Sequence, residues 1–300
     1  MNKKELQGNL LLLLTALVWG CAFVAQSVSA EKIGPFTFQA VRSLIGGTVL
    51  IPVIMAMDKK KKRQGIYQKP SPDQKRTLLF GGIACGFILC VASCLQQAGI
   101  AYTTVGKAGF ITAMYILIVP LLGLFFHQRV PAKIWGCILI AAAGLYLLCM
   151  TKGSLRLSRG DGLMVLCAVV FSVHILAVDH FSPKTDGIRL ACLQFFASSA
   201  FAAVGMVIWE RPSLETVLSA WSTLLYAGAL SCGIGYTLQI IGQKNTRPAV
   251  ASLLMSLESV FAVLAGAVLL REIPTLREGL GCGLMFAAII LAQLPQRKQE

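Results

Sequence analysis

Long apolar stretches alternate with short polar, glycine-rich or proline-rich breaks along the whole chain. An α-helix needs roughly 20 apolar residues to cross the hydrocarbon core of a bilayer, and cutting the chain at the breaks leaves ten pieces of 20 to 27 residues. The pattern predicts an all-α polytopic membrane protein with ten transmembrane helices, which cover residues 7–28, 35–57, 77–99, 104–126, 131–150, 161–180, 188–209, 216–242, 248–270 and 275–294.

The composition excludes the other broad classes of protein. Hydrophobic residues make up 56% of the 300 residues and charged residues 13%, whereas a soluble domain has roughly 45–50% and about 25%. So high an apolar fraction excludes a disordered chain, and long runs that do not alternate exclude an outer-membrane β-barrel. The apolar run 10–28 is too long for the core of a cleaved signal peptide, so we expect it to remain as the first span.

The basic residues are unevenly distributed over the breaks. The formal net charge is +14, and the longest break, residues 58–76, holds eight Lys or Arg. If the N-terminus is cytoplasmic and the spans alternate, 18 Lys or Arg lie on the cytoplasmic side and 8 on the outer side. This is the positive-inside distribution, so we expect a multi-pass protein of the plasma membrane with both termini cytoplasmic. Since topology accounts for the charge, we expect no nucleic-acid partner.

The two halves of the chain match each other in sequence. The matched positions stand 152 residues apart in the first spans and 143 apart in the later ones: Trp19 and Phe171, Phe23 and Ile175, Arg42 and Gln194, then Gln96 and Gln239, Tyr115 and Glu258. The order of the matches predicts two five-helix repeats, residues 1–150 and 151–300. Because five is odd, the second repeat would enter the membrane from the opposite side, which is the inverted-topology construction of many secondary transporters.

Several segments resemble a known family. The first span carries ALVWGCAFV, the second FQAVRSLIGG, and the ninth ASLLMSLESVFAVLAGAVLLREIP. Together with the fourth and fifth spans, they resemble the EamA-like branch of the drug/metabolite transporter superfamily over nearly the whole chain. The resemblance implies ten spans in two inverted five-helix repeats, and transport of amino acids, drugs or other small metabolites.

Two positions bear on the continuity of the predicted helices. Pro120 lies inside the fourth span, where a proline kinks a helix and frees a carbonyl group. Ser259 stands where the second repeat of the family often has a proline after the glutamate, so the resemblance implies a weaker kink in the ninth span. We therefore expect a kink at Pro120 and a more regular ninth helix.

Three ionisable residues lie deep inside predicted spans: Arg42, His174 and Glu258. Such a residue costs roughly 2.5–3.5 kcal/mol on insertion scales and faces a cavity or a partner. Glu258 is either a cavity carboxylate that binds a cation or cationic substrate or exchanges a proton, or a structural residue, as the permanent partner of Arg42 or as a backbone-bonded contact between helices. Arg42 is either a site for an anionic group or that same partner, and His174 is either a proton relay or an interhelical hydrogen-bonding residue.

Uncharged polar and aromatic side chains recur along the same spans. Any single one more often forms a hydrogen bond between helices than it binds a ligand, so the case rests on their number: aromatic walls with a few amides suit a small amphiphilic solute. The candidate substrate-binding residues are Trp19, Gln26, Gln39, Arg42, Gln97, Thr112, Tyr115, His174, Gln194, Tyr236, Gln239 and Glu258.

The sequence contains no HExxH motif, no Walker loop and no paired aspartates within a span. We therefore predict a protein that is not an enzyme and needs no cofactor and no metal. The predicted function is secondary active transport of small organic solutes, such as amino acids, related metabolites or drugs, by alternating access, with export favoured over uptake. The alternative is a channel or a lipid scramblase-like protein without coupled transport.

The expected partners follow from that function. They are a small-molecule substrate, the lipid bilayer, and protons or another coupling ion. One chain holds both predicted repeats, so a monomer suffices, and a homodimer is the alternative.

Overall fold

The computed structural model describes residues 3–67, 69–102, 105–125, 130–149, 159–269 and 275–294, and these residues form helices and short connections without strands. The helices of the first half are α1 (Lys3–Ala30), α2 (Pro35–Arg63), α3 (Pro72–Ile100), α4 (Val105–Ala113), α5 (Tyr115–Phe125) and α6 (Ala132–Cys149). Those of the second half are α7 (Arg159–Phe181), α8 (Gly187–Gly205), α9 (Leu214–Ser219), α10 (Trp221–Leu225), α11 (Thr237–Gln243), α12 (Pro248–Met255), α13 (Glu258–Leu269) and α14 (Leu276–Gln293).

Within the described residues, eight helical stretches are long and apolar enough to cross a membrane, so the chain is a multi-pass membrane protein. A shorter apolar helix, Ala132–Leu147, coincides with the predicted span 131–150, and α14 coincides with the predicted span 275–294. The count of ten spans and the inverted repeat remain predictions. The predicted boundary between the repeats, at residues 150 and 151, lies outside the described residues.

Several helices begin where the sequence offers a cap. Ser71 and Gln74 form a capping box at the start of α3, and Thr275 and Glu278 form one at the start of α14. The Asp186 carboxylate accepts two backbone N–H groups of the first turn of α8. Each cap satisfies amide groups that a helix otherwise leaves without a partner at its N-terminus.

The span predicted at 216–242 is not a single regular helix. α9 and α10 are separated at Ala220, and a π-helical segment, Tyr226–Tyr236, joins α10 to α11. This segment is rich in glycine, and at Gly228 a Cβ atom would lie 2.6 Å from Ile45 of α2. A wider helix turn therefore coincides with a close approach of two helices. π-Helical turns are frequent at functional sites.

Contacts between the two halves come in matched sets. α3 packs against α7 and α8, while the π-helical segment packs against α1 and α2. α13 packs against α1, and α4 and α5 pack against α7. The remaining large contacts join α2 to α8 and α6 to α14, which are themselves matched helices. The same set of helix crossings thus occurs for matched helices of the two halves.

Matched glycines stand at matched crossings. Where α1 meets α11, a Cβ on Gly8 would lie 2.8 Å from the carbonyl oxygen of Gly242. Where α7 meets α3, a Cβ on Gly160 would also lie 2.8 Å from the carbonyl oxygen of Gly99. Gly8 and Gly160 are 152 residues apart, and Gly99 and Gly242 are 143 apart. Small residues at both crossings let the backbones approach closely.

Two predicted spans are interrupted in the middle, at matched positions. α4 ends and α5 begins on either side of Met114, and α12 and α13 are separated by Ser256 and Leu257. Met114 and Leu257 are 143 residues apart. At each, the backbone N–H bonds the carbonyl three residues earlier, to Ile111 in one case and Leu254 in the other, which tightens the turn.

These interruptions differ from the expected kinks. The first lies six residues before Pro120, which is itself inside α5. The ninth predicted span is broken although Ser259 is not a proline. Serine hydroxyls there bond back to the helix, from Ser252 to the Ala249 carbonyl at 3.1 Å and from Ser256 to the Leu253 carbonyl at 2.8 Å. Such bonds compete with the helical ladder and bend a helix without proline.

Candidate functional site

An internal cavity of about 30 Å³ lies between the two halves. That volume holds about two water molecules and is far below the roughly 300 Å³ of a small ligand site. The residues that line the cavity are Trp19, Phe23 and Gln26 of α1, Arg42 of α2, Gln96 of α3, Thr112 of α4, Tyr115 of α5, Phe171 and Ile175 of α7, Ser231 and Tyr236 of the π-helical segment, Gln239 of α11 and Glu258 of α13.

Both halves contribute matched positions to this lining. Four of the pairs found by the 152- and 143-residue spacings have both members at the cavity: Trp19 and Phe171, Phe23 and Ile175, Gln96 and Gln239, Tyr115 and Glu258. A cavity whose walls repeat in this way lies where the two halves meet. Only the last of these pairs combines a neutral side chain with a charged one.

Arg42 and Glu258 each have their own partner. Nε of Arg42 donates to Oε1 of Gln39 at 2.6 Å, and its guanidinium lies 5.0 Å from the centre of the Phe38 ring. The Tyr115 hydroxyl donates to Oε1 of Glu258 at 3.0 Å. Among the ion pairs of the described residues, none joins Arg42 to Glu258. Both side chains line the cavity and are 2% and 4% exposed, so the permanent ion pair considered for them is not present within the described residues.

Gln39 holds Arg42 in place from outside the cavity lining. Its amide oxygen accepts from Arg42, while its amide nitrogen donates to the hydroxyl oxygens of Ser43 at 3.0 Å and of Ser198 at 2.8 Å. Ser198 belongs to α8, so this amide ties α2 to α8. The Arg42 side chain held in this way also lines the cavity.

Three other candidate residues also lie outside the lining. The amide nitrogen of Gln97 donates to the Gln26 carbonyl at 2.9 Å. Nε2 of His174 lies 3.2 Å from Oε1 of Gln194, and both residues are fully buried. For these three, the interhelical hydrogen bond anticipated as an alternative is what the structure contains.

Polar atoms at the cavity lack protein partners. The amide oxygens of Gln26 and Gln239, the hydroxyl of Thr112 and the indole nitrogen of Trp19 are buried without a hydrogen bond within the described part of the chain. Because buried polar atoms in folded proteins are nearly always hydrogen-bonded, these atoms are suited to water or a ligand. The aromatic wall beside them is close-packed, with the rings of Trp19 and Tyr236 4.5 Å apart.

Five lining residues were not among the candidates: Phe23, Gln96, Phe171, Ile175 and Ser231. Four of them belong to matched pairs, so the internal repeat itself carried the signal. Ser231 has no such signal, since it reaches the cavity through the π-helical segment.

A larger vestibule, of about 970 Å³, opens at one end of the bundle. Charged residues at helix ends line it, including Glu5, Lys133, Asp179, Lys244 and Arg247. It shares no lining residue with the cavity. Between the two, the side-chain nitrogen of Gln243 at the vestibule donates to the backbone carbonyl of Ile175 at the cavity, at 3.3 Å. The cavity is thus separated from the vestibule by packed helices.

Comparison with known proteins agrees with this architecture. The sequence profile of the EamA-like transporter family matches residues 6–150 and 158–294. A protein of Archaeoglobus fulgidus named "Uncharacterized transporter" is 28% identical over 97% of this chain and 87% of its own. "Uncharacterized transporter YwfM" of Bacillus subtilis is 24% identical over 97% and 95%. A solved crystal structure superposes with a TM-score of 0.76 at 21% identity, covering 95% of this chain and 96% of the other, which shows a shared fold.

Proposed function

The chain belongs to the EamA-like transporter family, and from this premise we propose that it is a secondary active transporter that carries small organic solutes across the plasma membrane by alternating access. The observation that carries the proposal is the cavity between the two halves, which holds an arginine and a carboxylate that do not pair with each other. Intramembrane charges of this kind mark substrate and ion pathways.

The charges favour a substrate that carries both an acidic and a basic group. The terminal nitrogens of Arg42 suit a carboxylate, which a guanidinium binds with two parallel hydrogen bonds. Glu258 suits an ammonium group, and Trp19 and Tyr236 provide the aromatic surface on which a cation or an apolar side chain packs. Amino acids and related amines are the solutes that fit this combination.

The proposed mechanism uses the two halves as alternating gates. In an inverted repeat, exchanging the conformations of the halves turns an inward-open state into an outward-open one. The vestibule lies at the end of the bundle that carries the basic segment 58–76 if the spans alternate, so we place it on the cytoplasmic side. A carrier in its inward-facing state has such an entrance, and loading of a solute from this side would be the first step of export.

The test is counterflow by the purified protein in proteoliposomes. A thermal-shift screen against amino acids, amines and carboxylic acids first selects ligands, because a ligand that binds the folded state raises the melting temperature by an amount that grows with its concentration relative to its Kd. A carrier preloaded with unlabelled solute should then accumulate the labelled solute transiently and should saturate. Flux without counterflow would indicate a channel, and movement of labelled phospholipid between leaflets would indicate a scramblase.

A further inference from the structure

The hydrogen bond between Tyr115 and Glu258 joins the two interrupted helices at their breaks. Tyr115 is the first residue of α5, directly after Met114, and Glu258 is the first residue of α13, directly after Leu257. The two residues occupy matched positions, 143 apart, and their side chains are 3% and 4% exposed. The bond therefore ties one break to the other at the cavity.

We propose that the Tyr115 hydroxyl occupies a site on the Glu258 carboxylate that an ammonium group of the solute also binds. When the ammonium group replaces the hydroxyl there, the side-chain bond between the two helix breaks is lost. The inference rests on the proposed function and adds the chemical class that the carboxylate selects. It also assigns Tyr115 a role in coupling solute binding to movement.

Hydrogen-bond chemistry decides which solute group can replace the hydroxyl. The hydroxyl donates to Oε1 of Glu258, so only another donor can take its place there. An ammonium group brings three N–H donors and a positive charge, and a bond between charged groups is stronger than one from a neutral hydroxyl. A carboxylate has no hydrogen to donate and would be repelled.

Neighbouring atoms fit the remaining donors of an ammonium group. The amide oxygens of Gln26 and Gln239 line the same cavity without partners in the described part of the chain. Trp19 and Tyr236 supply ring faces that attract a cation. Glu258 is the first residue of α13, and the N-terminal end of a helix favours a negative charge.

The size of the cavity explains why the breaks must move. A space of about 30 Å³ admits water but no organic solute, so binding requires the walls to separate. α5 and α13 are the wall helices whose backbones are already interrupted, and Tyr115–Glu258 is the side-chain bond between them. Exchanging that bond for a bond to the solute enlarges the cavity at the place where the backbone can yield.

The first experiment measures binding of three probes with one aromatic body: phenethylamine, 3-phenylpropionate and L-phenylalanine. Isothermal titration on purified Tyr115→Phe should give about tenfold tighter binding of the two amine-bearing probes than the unaltered protein, because the competing hydrogen bond is gone. Binding of 3-phenylpropionate should not change. Tyr226→Phe is the matched control, since its hydroxyl also bonds across helices, to the Val18 carbonyl, but lies away from the cavity.

The second experiment measures hydrogen exchange of the backbone amides around both breaks, residues 111–118 and 254–261. In Tyr115→Phe the exchange should rise at both breaks together, although only α5 is altered, and phenethylamine should produce the same rise in the unaltered protein. Tyr226→Phe should leave both segments unchanged.

Unchanged or weaker amine binding by Tyr115→Phe would overturn the proposal, and so would faster exchange confined to residues 111–118. A rise in exchange that follows pH and ignores phenethylamine would assign the carboxylate to a proton instead and would also overturn it. If the unaltered protein bound none of the three probes, the proposed substrate class would fail. The exchange measurement on Tyr115→Phe would still decide whether the bond ties the breaks.

Discussion

Two pairs of matched helices are built in opposite ways. α2 runs without interruption over Pro35–Arg63, and α8 (Gly187–Gly205) continues into a π-helical turn, Met206–Glu210. The two are tied at both ends. At one end, a guanidinium nitrogen of Arg189 lies 2.7 and 2.6 Å from the carboxylate oxygens of Asp58. At the other, the Glu210 carboxylate accepts the backbone N–H groups of Phe36 and Thr37 at 2.8 and 2.7 Å.

The other pair, α4–α5 and α12–α13, is broken in the middle and joined there by one side-chain bond. A pair tied at both ends cannot open at either end without losing charged hydrogen bonds, whereas a pair broken at the centre can bend there. The difference teaches that α2 and α8 form a frame that holds Arg42, while the interrupted helices carry Glu258 and, in the proposed mechanism, would supply the movement.

The sharpest way to break this comparison is to remove the charge of the moving pair. We expect Glu258→Gln to lower transport by about 10- to 100-fold, because a hydrogen bond to a charged group contributes roughly 1.5–3 kcal/mol, while the protein stays folded and inserted. The measurements are proteoliposome transport and the thermal melting temperature. Normal transport with normal melting would remove Glu258 from the site.

The next effect concerns the close helix crossings beside the frame. Gly160→Ala should destabilise the protein by about 1–3 kcal/mol, because its Cβ would lie 2.8 Å from the Gly99 carbonyl oxygen in a packed crossing. Gly8→Ala should cost a similar amount at the matched crossing. Gly162→Ala is the control on the same helix, since a Cβ there meets nothing within 4 Å. Unequal losses for Gly8 and Gly160 would show that the halves are packed differently.

A smaller effect is expected at the ionic end of the frame. Arg189→Gln should lower stability by about 1 kcal/mol or less, because both side chains are partly exposed, at 31% and 24%. Solute affinity should not change. The double variant with Asp58→Asn should recover part of the loss, and Lys59→Gln serves as the control for removing a basic charge at the same helix end. A loss of transport equal to that of Glu258→Gln would contradict the division into frame and moving pair.

The last prediction concerns two cysteine substitutions that should change neither stability nor transport. Their labelling assigns the two ends of the frame to the two sides of the membrane. A cysteine at Gln64, at the end of α2, should resist a membrane-impermeant maleimide in intact cells and react after permeabilisation. A cysteine at Glu215, in α9 at the opposite end, should react in both. External labelling at Gln64 would reverse the assigned topology.

Some of the site could be predicted because the repeat is visible in the sequence. Spacings alone related Trp19 to Phe171 and Tyr115 to Glu258, and all four line the cavity. Eight of the twelve candidate residues do so. Polar residues within membrane spans avoid lipid and face a cavity or a partner inside the bundle.

The rest of the site depends on how each helix is rotated about its axis and on which side chains it contacts. The spacing of residues along the sequence does not encode either. Gln194 matches Arg42, yet it faces His174 and not the cavity, because the phase of one helix against its neighbours is set by packing. The break at Met114 has no proline or glycine beside it and arises from local i−3 hydrogen bonding. Gln39 was a candidate ligand, but its amide serves Arg42 instead.

The matched positions of Tyr115 and Glu258 also constrain how such a protein could arise by gene duplication. Two identical copies of one half would place either two phenols or two carboxylates at the same meeting point. Two phenols would offer no charge to a solute, and two carboxylates about 3 Å apart would repel each other. Joining the halves in one gene lets the copies diverge, so that one contributes the acid and the other its donor. The fused chain thus supports a division of labour that a symmetric dimer of half-length ancestors could not.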